Sequence, residues 1–198
     1  RVFHHALQIR DFENILKNDA VHRENFNIRT TKSSGNFLTD CDKCSNCFAW
    51  EFSQNCRNSL RGLYTKDCID QAVSWYNELS GNNSCVYGGY QINNSVWSNA
   101  KYSEYLDLCD DVEYCFGCVG LRKKKYCILN KQYSKEEYEK LKKQIIDDME
   151  RRGEYGKFLP YSMGLCGYNL SNGVVYFSNA SKEEILQKGG YWSDEDLS

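Results

Sequence analysis

Histidine and proline are scarce in this sequence, with three and one among 198 residues. The histidines, His4, His5 and His22, all precede the first cysteine, so no thiol has a neighbouring base with which to act as a nucleophile. They read as surface or cap residues. With Pro160 alone, punctuation falls to Asn, Gly and Ser, which is turn chemistry. An excess of charge of one sign is missing too. The 25 Lys and Arg against 27 Asp and Glu leave −2, which gives no global pull toward nucleic acid or acidic lipid. No apolar run approaches the roughly 20 residues that span a bilayer, so no membrane insertion is expected. No leader pattern is visible, in a chain that opens on Arg1 rather than Met. The fourteen glycines gather into no phosphate-binding loop.

Aromatic side chains and thiols are plentiful: 15 Tyr, 9 Phe, 4 Trp and 11 Cys. An odd cysteine count cannot pair completely within the chain. The gaps between cysteines run 3, 3, 9, 12, 17, 24, 6, 3, 9 and 39, unlike the short, even spacing of small disulfide domains. Reduced thiols in an intracellular protein, or one within a viral or macromolecular particle, are therefore expected. Four N-x-S strings, at Asn82, Asn93, Asn169 and Asn179, matter only if the chain is exported.

The cysteine gaps carry a repeat. Cys44, Cys47 and Cys56 superpose on Cys115, Cys118 and Cys127 at a constant offset of 71 residues, and Cys41 falls on Val112. A metal ligand does not become valine, whereas a core position can. Between the copies lie short pieces rich in Val, Ile, Tyr, Trp and Thr, such as "SCVYGGYQI" and "NSVWS", separated by Asn, Gly and Ser. Fixed-period self-similarity marks a repeat architecture. The expectation is a mainly β fold, a right-handed parallel β-helix with helical caps at both ends. Coils of roughly 20 residues would make the offset three or four coils. Cys, Val and Ile should stack inside as compact apolar rungs, with Asn and Ser at the corners.

The ends read as helical. Ser134 and Glu137 make a capping box, and Tyr138, Leu141, Ile145, Ile146 and Met149 form one apolar stripe that Gly153 ends. "SKEEILQKGG" from Ser181 repeats the logic, and the segment from His4 to Asp19 is helical with Leu7, Phe12, Ile15 and Leu16 apolar. The domain reading is an N-terminal cap or linker over 1–35, β-helix repeats over 36–133, and a C-terminal cap and tail over 134–198. The helix after Ser134 should lie as a lid on the C-terminal end of the solenoid.

From Asn36 to Trp192 the chain resembles a family of function-unknown, cysteine-rich proteins of uncultured small-genome bacteria and some large DNA viruses. The resemblance is carried by "CFGCVGLRKKKYCILNKQYSKEEYEKL" (Cys115 to Leu141), "GEYGKFLPYSMGLCGYN" (Gly153 to Asn169) and the closing "SKEEILQKGGYW". Family members look like zinc-ribbon pairs followed by N-C-x-x-C rungs, which implies a β-helix. This chain has rungs but no ribbon before Cys41, and its middle, Gln71 to Tyr105, holds only Cys85. The ribbons' zinc does not carry over, and the family supplies no catalytic residues.

Three chemistries remain to weigh. A zinc set drawn from Cys44, Cys47, Cys115 and Cys118 would span several coils; a local set of Cys41, Cys44, Cys47 and Cys56 is the weaker alternative to a core ladder. The acidic run Asp107, Asp110, Asp111 and Glu113 suits solvated turns as well as a carbohydrate-active cleft, which needs two carboxylates within roughly 5–10 Å. Arg122, Lys123, Lys124 and Lys125 could meet phosphates or simply guard a strand edge. The reading is a non-enzymatic structural or protein-interaction module without a cofactor. It meets a protein partner or assembly; a carbohydrate-active enzyme and a nucleic-acid-associated module are the alternatives.

Overall fold

From Phe37 to Leu129 the backbone enters the left-handed region at every third residue, with one longer step between Trp97 and Tyr102. Each entry turns the chain. Up to Gly117 the residue that follows points inward and is buried, and the next faces out; on the last coil Lys124 and Asn130 break the rule. Left-handed backbone costs an L-residue on the order of 1–2 kcal/mol, and Asn and Asp bear it best. Asn46, Asn55, Asn58, Asp67, Asp70, Asn82 and Asn94 occupy such corners.

A computed structural model describes residues 9–158, 162, 166–171 and 180–194. His4, His5, Pro160 and the string at Asn179 lie outside the described residues. Ten strands, from β1 (Gly35–Thr39) to β9 (Lys125–Ile128) and β10 (Lys131–Gln132), form one sheet in sequence order. All pairings are parallel except the last, in which β10 folds back antiparallel on β9. Isolated bridges Ile28↔Thr39 and Thr31↔Asp42 carry the ladder further toward the N-terminus than residue 36. The fold is a β-solenoid.

Its coil is shorter than the sequence suggested. Register pairs such as Ser45↔Arg57, Arg57↔Ile69 and Cys115↔Cys127 step by 12, while Tyr90↔Lys101, like the N-terminal bridges Ile28↔Thr39 and Thr31↔Asp42, steps by 11. Four three-residue sides make one coil. The 71-residue offset is therefore five coils of 12 and one of 11, six coils rather than three or four. Cys44 and Cys115 do share a column, along with Cys56, Cys68, Ser80, Ile92, Ser103 and Cys127.

A lumen with four side chains per layer is narrow, and its backbone needs partners. Most inward serines solve both problems, so serine stacks inside rather than at the corners. Ser80 Oγ donates to the Glu78 carbonyl and accepts the Ile92 N–H of the next coil; Ser53, Ser59, Ser95, Ser98 and Ser103 repeat the pattern. Asn77 and Asn83 accept the corresponding N–H of the next coil with their amide oxygens and donate to the carbonyl nine residues on. A cysteine does so more weakly: Cys41 Sγ lies 3.4 Å from the Thr39 carbonyl and 3.2 Å from that of Trp50. Trp50 fits only because Gly62 lies over it, where a Cβ would meet the indole at 2.2 Å.

Before the solenoid stand helix α1 (Ile9–Asn14) and a π-helical turn (Ile15–Asp19), with Phe12, Ile15 and Leu16 exposed. Helix α2 (Lys135–Arg151) has both bonds of its capping box. It reaches the last coil through buried Tyr138, beside Tyr126 and Ile128. Its packing then runs back along a flank rather than across the end, against Tyr105 and Phe116, with Leu141, Ile145, Ile146 and Met149 half-covered. Lys142 meets Glu104 at 2.7 Å, and beyond the helix Tyr155 and Gly156 bond to Glu104 and Tyr105. The helix is a brace along three coils, while β10 occupies the open edge of β9. A third helix, α3 (Lys182–Gln187), also keeps its capping box.

Candidate interaction surface

Outward positions stack as strictly as inward ones, so each side of the coil becomes a flank with its own chemistry. One flank follows the register Asn36–Phe48–Leu60–Ala72–Ser84–Val96–Asp107–Val119. The corner beside it carries Phe37, Ala49, Arg61, Val73, Cys85, Trp97, Leu108 and Gly120. Phe37, Phe48, Leu60, Trp97, Leu108 and Val119 are 45–59% exposed. Arg61 and Asp107 are the charged residues on it, and Asp107 Oδ1 is buried without a hydrogen-bond partner. Exposed apolar strips of this extent are the kind of surface through which proteins commonly meet partners.

On the next side Phe52, Tyr64 and Tyr76 stack ring on ring at 5.0 and 5.2 Å. Tyr87 turns edge-on to Tyr76 and Trp75 where Gly88 interrupts the column. Between the two flanks runs a groove of about 510 Å³, walled by Trp75, Tyr87, Trp97 and Leu108 with Asn99 and Asp110 at one end. The third side is charged and pairs coil to coil, as in Lys66–Glu78 and Lys125–Glu113. The fourth is the one that α2 covers.

The thiols proposed for a metal are inward neighbours. Cys41, Cys44, Cys47 and Cys56 are buried and carry free thiols, as do the other cysteines. Among the described residues no group of three or more His, Cys, Asp or Glu could hold a metal ion. Six coils part Cys44 from Cys115, on the order of 29 Å at the usual strand spacing. In the second cluster the interaction of Cys115 with Cys118 lowers the Cys118 thiol and raises that of Cys115.

The basic run lies on the last coil. Arg122 pairs with Asp110 at 3.1 Å and Lys125 with Glu113 at 2.7 Å, so the acidic and basic runs meet as rungs twelve residues apart. Lys125 holds the Glu113 carboxyl below its ordinary value. Lys123 and Lys124 are exposed without an ion pair among the described residues. His22 donates to the Leu16 carbonyl, far in sequence from the thiols. No helix among the described residues is long and apolar enough to cross a membrane.

The apolar flank escaped the sequence reading because its members stand twelve residues apart, a period hidden by the assumed coil of roughly 20. Phe48, Leu60 and the Trp97–Leu108 step were the available signal.

No protein-family model matches the chain, and no curated protein does. A hexapeptide transferase family protein from Anaplasma phagocytophilum is similar at 14% identity, over 59% of this chain and 82% of that one, with a TM-score of 0.18. A likeness that weak carries no argument.

Proposed function

We propose that the chain is a non-enzymatic interaction scaffold whose rigid apolar flank receives a partner protein within a larger assembly. The observation that carries this is the exposed strip from Phe37 to Val119, which no described part of the chain covers although α2 covers the equivalent apolar side chains of another flank. Stacked rungs fix the strip's side chains before binding, so little conformational entropy is lost on association. Aromatic and leucine anchors beside a groove suit a partner that inserts an apolar ridge. Asp107 would take a donor from that partner. Buried free thiols fit a reducing compartment.

The test is site-specific photo-crosslinking in the source cells or particles. A crosslinker at Leu60 or Leu108 is expected to give one recurring protein adduct, which Trp97→Asp removes, while a crosslinker at Asn58 gives none. Adducts of equal yield and identity at Leu60 and Asn58 would overturn the reading.

A further inference from the structure

Apart from the bare flank, a cavity of about 650 Å³ opens between α2 and the solenoid, walled by Tyr102 and Tyr114 and by the helix residues Tyr138, Lys142 and Lys143. Of its two acidic residues, one is fully engaged. Glu104, whose side chain is 10% exposed, takes Lys142 Nζ on one oxygen and the Tyr155 hydroxyl on the other, both at 2.7 Å. Glu139 lies 3.9 Å from Lys135.

Its donors are not. The Tyr138 hydroxyl is buried and has no partner, and burial raises its pKa, so it stays protonated. Asn93 spends its oxygen on the Gly81 N–H and leaves its NH₂ to donate. Lys143 has no ion pair among the described residues. Tyr102 and Tyr114 stack 4.9 Å apart at 9°, so their faces are spent on each other. What such a ladder presents sideways is ring edges, which are electropositive. That disfavours a sugar, which would lie on a ring face, and favours an anion. Leu79 and Ile146 supply apolar wall. One unpaired cation matches one negative charge.

We infer that this cavity binds a small organic monocarboxylate with an apolar body, its oxygens on Lys143 and Tyr138. The test is saturation-transfer NMR and titration of the full chain with benzoate and hexanoate, beside the neutral isosteres benzamide and hexanol. The carboxylates are expected to bind, and the isosteres to bind at least about tenfold more weakly, as for loss of a charged hydrogen bond. Lys143→Gln and Tyr138→Phe should each weaken benzoate about tenfold, and Lys143→Arg should retain it. Lys143→Gln should leave the melting temperature unchanged, which separates binding from folding. Equal binding of benzoate and benzamide, indifference to Lys143→Gln, or no saturation by either carboxylate would overturn the inference.

Discussion

Two flanks of one solenoid carry similar apolar side chains and leave them in different states. Tyr105, Phe116 and Ile128 are 8, 5 and 2% exposed beneath α2, while Phe48, Leu60 and Leu108 stand 45–49% exposed on the next side of the coil. Both flanks rest on the same hydrogen-bonded ladder, so the fold does not require either to be covered. The chain nevertheless supplies a seventeen-residue helix to one of them. Covering a flank is within its means, yet among the described residues the strip stays bare, as the proposed interaction role requires.

The largest expected effect comes from stripping the covered flank. Leu141→Asp with Ile145→Asp removes two apolar contacts worth about 1.5–3 kcal/mol each when fully buried, and less here because both are half-covered. The melting temperature should fall by several degrees, and an apolar dye should bind where Tyr105 and Phe116 emerge. Unchanged melting would mean that α2 contributes little to the coils it touches.

Next come changes in the lumen that both flanks share. Asn77→Ala deprives the Val86 carbonyl and the Gly89 N–H of their partner, at about 1–3 kcal/mol. Gly62→Ala drives a methyl into the Trp50 indole, at about 1–3 kcal/mol. Chemical denaturation should register both losses without any gain in dye binding to the native state. A thiol count gives an independent check. Native protein should react first at exposed Cys166 and then at half-buried Cys85, with the nine buried thiols reacting only on unfolding. Stoichiometric zinc in metal analysis, or rapid reaction of all eleven, would break the ladder account.

The smallest effect belongs to the basic run. Lys123→Glu with Lys124→Glu should change stability by less than about 0.5 kcal/mol. Adding Lys125→Glu also places like charge beside Glu113, which should cost slightly more because the exposed pair is lost and reversed. Salt-dependent loss of RNA binding in these variants would move the function toward nucleic acid.

How much of this was legible in the sequence differs by element. The β-solenoid and the column shared by Cys44 and Cys115 followed from the constant offset, and α2 with its cap followed from Ser134, Glu137 and the stripe. Coil length did not. Only Cys44, Cys56 and Cys68, and again Cys115 and Cys127, show the 12-residue step in cysteines, and the 11-residue coil near Asn99 turns a multiple of 12 into 71. The place of α2 was equally hidden, because a stripe specifies an apolar partner but not which one: the end of the stack and its flank offer similar chemistry. The bare strip required the period before its members could be seen as neighbours.

The most direct test pairs the two flanks in one experiment. Leu60→Asp with Leu108→Asp on the bare flank is the counterpart of the α2 double substitution, and melting temperature is measured alongside crosslinking from a probe at Phe48. The account predicts wild-type melting, within the roughly 0.5 kcal/mol typical of surface changes, together with loss of the partner adduct. A fall in melting as large as that from Leu141→Asp with Ile145→Asp, or an adduct that persists undiminished, would contradict it.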